Sequence, residues 1–169
     1  TNFVNMPAAS FNEIEEIRFA GASKTGTFTG AQLTGETLSL TETVSGTSNL
    51  IINVASGTTA TFTNMTAGTF SSGSDTVTIN GTTGNETITG PNVASTIDGG
   101  TGDDIISGGS AADTIDGGDG ADSLTGGSGN DVYLFNTNDV DSGESITEAS
   151  SGGTDAVAIV TTTNFVNMP

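Results

Sequence analysis

The chain has no histidine and no cysteine, and Arg18 and Lys24 are its only basic residues. Histidine and cysteine supply most catalytic bases, nucleophiles and nitrogen or sulfur metal ligands. Neither an HExxH nor a GxSxG motif occurs in the 169 residues, and these motifs mark the common metalloprotease and serine hydrolase sites. We therefore predict that this protein is not an enzyme.

Positive charge is nearly absent, since 20 acidic residues face two basic ones and the formal net charge is −18. Nucleic acids and anionic membrane surfaces attract basic patches, so we expect neither as a partner. No apolar run approaches the length of a transmembrane helix, and we expect no direct membrane insertion. The lack of cysteine, together with abundant Gly and Thr, is typical of secreted bacterial repeat proteins.

What the chain does have is a repeat of nine residues. Four units follow one another without a break: GGTGDDIIS, GGSAADTID, GGDGADSLT and GGSGNDVYL, from Gly99 to Leu134. Each begins with two glycines and has aspartate sixth and a large apolar residue eighth. Two weaker units, GTTGNETIT from Gly81 and GPNVASTID from Gly90, precede them. An acidic flexible linker has no reason to keep an apolar residue at every ninth position, so the pattern predicts regular structure.

Two such units are long enough for one coil, with six residues in a glycine-rich turn and three in a short strand. Residue n then stacks on residue n+18. This predicts one interior column of Ile88, Ile106 and Leu124, and a second of Ile97, Ile115 and Tyr133. The stacking also brings Asp104 near Asp122, and Asp113 near Asp131, at about the 4.8 Å spacing of neighbouring strands.

Carboxylates at that distance need a cation between them. Two of them at roughly 5 Å repel by about 3 kcal/mol at an effective dielectric of about 20. The available ligands are carboxylate and backbone carbonyl oxygens, which suit a hard ion that accepts several oxygens. The residues therefore favour Ca²⁺ over Mg²⁺, with several ions per chain.

Residues 1–7 and 163–169 have the same sequence, TNFVNMP. The simplest interpretation is a tandem array with a period of 162 residues, from Thr1 to Thr163, of which this chain is one period and a short overlap. The alternative is that one of the two copies is an artefact. If the array is real, the expected partners are neighbouring identical repeats or a homopolymer.

Short apolar sets separated by turn formers fill the region from Thr25 to Asn80, which is rich in Thr, Ser and Gly. They predict many short strands and no helix. Before them, the alternation of Ile17 and Phe19 around Arg18 favours a strand over a helix. A sandwich of the immunoglobulin type and a wide solenoid both fit this half. The solenoid is favoured because the spacing shortens towards nine residues without a linker.

Beyond Leu134 the periodicity is lost. Asp139, Asp141 and Glu144 either close the last cation site or keep the end of the coil solvated. Ile146 stands alone between polar residues and marks no clear element. Residues 156–160 are apolar throughout, which predicts one more strand, buried on both faces.

The nonapeptides, with the later segment TEASSGGTDAV, resemble the repeats-in-toxin (RTX) family of secreted bacterial calcium-binding proteins. The Thr-rich half more loosely resembles β-rich parts of surface-layer proteins and giant adhesins. The resemblance implies a calcium-binding β-roll, export by type I secretion and folding in extracellular calcium. It also implies that each ion lies between turns two units apart. One turn gives the carbonyls of positions two and four, the other gives those of positions one and three, and each gives its sixth-position carboxylate.

Carried over residue by residue, this rule implies three calcium sites. The first consists of Gly100, Gly102, Asp104, Gly117, Asp119 and Asp122. The second consists of Gly109, Ala111, Asp113, Gly126, Ser128 and Asp131. A third, weaker site consists of Thr82, Gly84, Glu86, Gly99, Thr101 and Asp104. The unit from Gly90 has Ser95 in place of aspartate, which puts a site there in doubt.

The fold class predicted from these observations is all-β: a right-handed parallel β-solenoid, in which a β-helix leads into a calcium-binding β-roll. The expected divisions are a Thr-rich segment over residues 1–80, the roll over 81–134, and a closing segment with the start of the next repeat over 135–169. The predicted function is a structural calcium-binding repeat of a long secreted or cell-surface bacterial protein, such as a fibre, surface layer or adhesin stalk. The alternative is an adhesin module that recognises glycans or ice through paired threonines such as Thr87 and Thr89.

Overall fold

A computed structural model describes residues 14–21, 23–70, 74–137, 139, 142–148 and 152–160. Both copies of TNFVNMP, and Asp141, lie outside these ranges. In chain order the strands are β1 (Glu16–Phe19), β2 (Thr25–Thr29), β3 (Leu38–Glu42), β4 (Asn49–Asn53), β5 (Thr59–Thr61), β6 (Met65–Ala67), β7 (Thr76–Thr82), β8 (Thr87–Thr89), β9 (Ser95–Gly100), β10 (Ile105–Gly109), β11 (Thr114–Asp116), β12 (Ser123–Gly127), β13 (Val132–Phe135), β14 (Ser145–Thr147) and β15 (Ala156–Ile159).

These strands form three sheets, and every pairing among them is parallel. The longest sheet has seven strands in the order β15-β13-β11-β9-β7-β4-β2. The second has five strands in the order β14-β12-β10-β8-β5, and the third has three in the order β1-β3-β6. A sandwich of the immunoglobulin type is built from antiparallel sheets. The predicted fold class, an all-β parallel solenoid, is confirmed.

The seven-stranded sheet runs through both halves of the described chain. Its interior column starts at Phe28 and continues through Ile52, Ile79, Ile97, Ile115 and Tyr133, and these side chains are at most 3% exposed. The second predicted column, Ile88, Ile106 and Leu124, stacks in the five-stranded sheet. Both columns predicted from the nine-residue spacing are therefore confirmed.

Coil length differs between the two halves. Contacts between successive coils join residues 24 or 27 apart near Ser48, but 18 apart between Ser95 and Asp113. The longer coils have a third side, the sheet β1-β3-β6, which holds Leu38, Leu40 and Met65 in the core. The nonapeptide coils have only two sides, so each buries a thin core and depends on its neighbours.

One short element departs from the expected all-strand pattern. Gly30–Leu33 form α1, a single helical turn that begins after Thr29, whose backbone N–H donates to Gln32 Oε1 at 2.7 Å. Thr34 closes the turn through its N–H to the Gly30 carbonyl at 2.9 Å. Among the described residues this is the only helix, and it is far too short to cross a membrane. The capping contact depends on Gln32 being buried, which the local sequence does not reveal.

Candidate calcium site

The turns between the short strands place the sixth-position aspartates in two stacks. Asp104, Asp113, Asp122 and Asp131 each precede a strand residue that pairs in register with the strand 18 residues away. Their exposure is 1%, 2%, 1% and 0%, respectively. Charged side chains are rarely buried so completely without a partner, because desolvating a carboxylate is costly.

One oxygen of each aspartate is anchored to the preceding coil. The N–H of Asp104 donates to Asp122 Oδ1, and the N–H of Asp113 donates to Asp131 Oδ1, both at 2.8 Å. Asp104 and Asp113 in turn accept from Glu86 and Ser95, at 2.6 and 2.8 Å. A carboxylate held in this way has a set orientation, because rotation would break the bond to the neighbouring coil.

The other oxygen of each aspartate is buried and has no hydrogen-bond partner. This holds for Oδ2 of Asp104, Asp113, Asp122 and Asp131. The turn glycines leave the space that these oxygens occupy. A Cβ on Gly99 would lie 2.5 Å from both Asp104 Oδ2 and the Gly117 carbonyl oxygen, and one on Gly108 would lie 2.7 Å from both Asp113 Oδ2 and the Gly126 carbonyl oxygen. Carboxylate and carbonyl oxygens thus converge at the same points.

The structure brings the members of the first predicted site together. The N–H of Asp119 donates to the Gly100 carbonyl at 3.0 Å, and the Asp119 carbonyl accepts from Gly102 at 2.8 Å. Gly118 has φ +90° and its α-carbon lies against the Gly100 carbonyl, so a side chain there would collide with backbone. These contacts place the two glycine turns one above the other, with Asp104 and Asp122 at their inner ends.

The second predicted site has the same arrangement. Ser128 donates its N–H to the Gly109 carbonyl at 3.1 Å, and Gly129 lies against the Ala111 carbonyl. Asp113 Oδ2 and the Gly126 carbonyl oxygen both border the space beside the α-carbon of Gly108. The ligand roles of these residues, like those of the first site, remain predictions.

The third predicted site differs at Glu86. Thr101 donates its N–H to the Thr82 carbonyl at 2.9 Å, and Gly102 lies against the Gly84 carbonyl, so the turns again stack. Yet both carboxylate oxygens of Glu86 already accept backbone hydrogen bonds, from Gly57 at 2.7 Å and Thr82 at 3.0 Å. The longer side chain of Glu86 therefore reaches the wider coil before it, and this site has fewer free oxygens than the other two.

Ser95 replaces the sixth-position aspartate in the unit from Gly90. Its N–H and its hydroxyl both donate to Asp113 Oδ1 at 2.8 Å. A serine here satisfies Oδ1 of Asp113 by hydrogen bonding, adds no negative charge, and leaves Oδ2 without a partner. The doubt about a calcium site at this position agrees with that contact.

Burial raises the pKa of the sixth-position carboxyls. Desolvation is the main cause, and it raises the pKa of Asp104, Asp113 and Asp122 from 3.8 to about 6. The pKa of Asp131 is also raised, again chiefly by burial and then by the charges of Asp155 and Glu148. The negatively charged turns are thus unfavourable on their own, and a bound divalent cation would offset the penalty.

These raised pKa values predict that low pH partly substitutes for calcium in stabilising the fold. A carboxyl whose pKa is raised on folding binds protons more tightly in the folded than in the unfolded chain. The free energy of unfolding of the ion-free chain is therefore lowered above about pH 6, and it rises as the pH falls towards about 4. We expect the circular dichroism of calcium-free protein to gain β signal when the pH is lowered from about 7 to about 4.5. A further loss of β signal over that range would contradict the prediction.

The chemistry of the free oxygens fits a hard divalent cation. The residues that would hold it are the four buried aspartates and the carbonyls of the glycine turns, all of them oxygen ligands. Residues 95–133 match the family of RTX calcium-binding nonapeptide repeats, in four copies. These coils are RTX repeats. RTX nonapeptide repeats bind Ca²⁺, so the calcium prediction is confirmed. No curated protein and no solved structure matches the chain.

The stacking continues beyond the RTX repeats, although the nine-residue period of the sequence ends at Leu134. The N–H of Asp122 donates to Glu144 Oε2 at 3.1 Å, and that of Asp131 donates to Asp155 Oδ1 at 3.0 Å. Glu144 and Asp155 therefore occupy the sixth position of two further coils, although the spacings are 22 and 24 residues. The signal was present only around Asp155, where Gly153, Asp155 and Val157 keep the spacing of Gly129, Asp131 and Tyr133.

Two expectations for this closing segment were wrong. Ile146 does belong to an element, β14, where it pairs with Leu124 and packs against the core. β15 was predicted correctly as a strand but is not buried on both faces, because Val157 and Ile159 are 53% and 56% exposed. Asp139 accepts a hydrogen bond from the N–H of Asn136, and its charge helps to raise the pKa of Asp116 and Asp122.

Proposed function

We propose that this chain is a structural calcium-binding repeat of a long secreted or cell-surface bacterial protein, such as a fibre, a surface layer or an adhesin stalk. The observation that carries the proposal is the set of four buried aspartates, each with one anchored and one unpartnered oxygen, within a continuous parallel solenoid. Calcium would hold adjacent coils together and neutralise the negative charge of their aspartates. RTX repeats are typically structural, and we propose no catalytic role and neither nucleic-acid binding nor membrane insertion.

Calcium dependence also supports an extracellular location. A chain with 25 glycines and a net charge of −18 gains little from folding without the cation. Such a chain can be exported unfolded and then fold in extracellular calcium, as in type I secretion. The divisions at residues 80 and 134 remain part of this proposal, with the wide coils, the RTX roll and the closing segment as successive parts of one stack.

The two ends of the described solenoid are complementary, which supports a tandem array. At one end, Val157 and Ile159 pair with Tyr133 and Phe135 and so occupy interior positions that no described coil covers. At the other end, a cavity of about 570 Å³ is lined by apolar residues and by Lys24, Arg18 and Glu16, and Arg18 pairs with Glu16 at 2.5 Å. An identical repeat stacked end to end would place apolar side chains and opposite charges together.

We expect a chain of two periods to be more stable in calcium than a chain of one, and to unfold in a single transition, because stacking buries the exposed end strand. Thermal unfolding of both chains tests this. The seven described strands of the long sheet span roughly 34 Å at about 4.8 Å per coil, so each period should advance by at least about that distance.

A matched variant separates stacking from other effects. Val157→Asn with Ile159→Asn in the first period should scarcely change the one-period chain, where both side chains are exposed, but should remove most of the stability that the second period adds. Equal unfolding midpoints for one and two periods would instead indicate separate globular units, and would overturn the array.

One observation favours the alternative function, a module that binds glycans or ice. On the outer face of the five-stranded sheet, hydroxyl side chains stand in register across all five strands: Thr61, Thr89, Ser107, Thr125 and Thr147. The first residues of the same five strands form a second column of hydroxyl side chains, but Ile105, which is 56% exposed, interrupts it. Thermal hysteresis or glycan binding by a single period that is lost in Thr89→Lys would favour this alternative, whereas a pure spacer binds only calcium and its own kind.

A further inference from the structure

A cluster of three carboxylates lies where the RTX repeats end. Each of Asp131, Glu148 and Asp155 offers one oxygen, and these oxygens all lie within 4.8 Å of one another. Glu148 and Asp155 lie outside the matched residues 95–133, and Glu148 occupies no position of the nonapeptide. Carboxylates this close repel one another, and the repulsion is stronger where burial keeps water out.

The buried member of the cluster points to a ligand. Asp131 is 0% exposed, and its Oδ2 has no hydrogen-bond partner. Oε2 of Glu148 is likewise shielded from solvent and without a partner. Neither basic residue of the chain is available to neutralise them, because Arg18 and Lys24 line the cavity at the opposite end.

Each of the three side chains accepts a hydrogen bond that fixes its orientation. Asp131 Oδ1 accepts from the N–H of Asp113 at 2.8 Å, and Asp155 Oδ1 accepts from the N–H of Asp131 at 3.0 Å. Glu148 Oε1 accepts from the hydroxyl of Tyr133 and from the N–H of Gly126, the latter at 3.3 Å. The three carboxylates are therefore oriented by hydrogen bonds, as the sixth-position aspartates of the RTX turns are.

The absence of a side chain at Gly126 makes the convergence possible. A Cβ at this position would lie 2.6 Å from Glu148 Oε1 and would also collide with Asp131 Oδ2. The N–H of Gly126 also donates to the Tyr133 hydroxyl at 2.5 Å, which fixes the phenol beside Glu148. Residues from the last RTX unit thus orient a glutamate that comes from the closing segment.

We propose that Asp131, Glu148 and Asp155 bind a further Ca²⁺ ion, which joins the closing segment and β15 to the end of the RTX roll. Three carboxylates without nitrogen or sulfur ligands suit a hard cation. The proposal rests on the calcium-binding function of the RTX turns and adds Glu148, a residue that the repeat motif does not include. In this site Glu148 replaces a turn ligand where the coil has lengthened.

Terbium luminescence tests the proposal, because the chain has one tyrosine and no tryptophan. Tb³⁺ bound beside Glu148 should be excited through Tyr133, and Ca²⁺ should compete for it. In Glu148→Gln and in Asp155→Asn we expect sensitised emission to fall at least about fivefold, and calcium bound per chain to fall by one ion, with the circular dichroism in calcium retained. Glu15→Gln, an exposed glutamate at the other end, is the matched control and should leave both readouts unchanged.

Tyr133→Phe provides an independent measurement: it removes the phenol and its hydrogen bond to Glu148 but keeps all three carboxylates. It should abolish the sensitised emission while the number of bound calcium ions stays the same. If Glu148→Gln and Asp155→Asn both bind calcium and sensitise terbium as the wild type does, this site is overturned and the RTX sites stand. If the wild type binds no calcium at all, the proposed function itself falls.

Discussion

Removal of calcium by a chelator should abolish the β-sheet circular dichroism of the RTX coils, and returning calcium should restore it. Asp104, Asp113, Asp122 and Asp131 are buried in two stacks with one unpartnered oxygen each. Without a cation, their mutual repulsion adds to the cost of desolvating them. The glycines of the turns add roughly 0.5–1 kcal/mol each relative to alanine. Each short coil contributes only one large interior side chain per strand, which is too little to offset these costs.

Hydrogen exchange would show where the chain loses structure. We expect amide protection over residues 99–134 to disappear first, because the four buried aspartates of the RTX repeats lie there. Protection over residues 38–79 should persist longer, since Leu40, Leu50, Ile52 and Phe62 form a wider core without buried aspartate stacks. Magnesium at the same concentration should not restore the signal, because it prefers a rigid octahedral shell. An unchanged spectrum in chelator would contradict a calcium-dependent fold.

Replacing Asp104 by asparagine should raise the calcium concentration needed for folding by tenfold or more, whereas Asp103→Asn should change it by less than about twofold. Asparagine preserves the Oδ1 acceptor that holds the N–H of Glu86, but it loses the charge of the free oxygen. Asp103 is an exposed neighbour whose Oδ1 accepts from Ala121 at 3.1 Å, a bond that asparagine can keep. Calcium titrations followed by circular dichroism give both midpoints.

The direction of the Asp104 effect separates two roles for the buried carboxylate. If Asp104 is a calcium ligand, the loss of its charge weakens binding and the midpoint rises. If Asp104 only repels its neighbours, the same substitution relieves the ion-free fold and the midpoint falls. A lower calcium requirement in Asp104→Asn would therefore refute the predicted ligand role.

The nine-residue pattern alone determined the roll. Because each turn and each short strand has a constant length, residue n must lie on residue n+18, and the columns through Ile106 and Ile115 follow from counting. The same counting predicted that Asp104 lies beside Asp122 and Asp113 beside Asp131. Because their ligand atoms are oxygens, the predicted ion was calcium. Local sequence was sufficient here because every coil repeats the one before it.

Only the tertiary structure decided the rest, because coil length varies outside the roll. The third sheet, the turn α1 and the spacings of 24 and 27 residues depend on which side chains fill a wider core, and no period in the sequence records that. Glu144 and Asp155 take sixth positions at spacings of 22 and 24, and Glu148 meets Asp131 from outside the repeat altogether. When a coil lengthens, the residue that lies above a given carboxylate is set by packing across the stack rather than by distance along the chain.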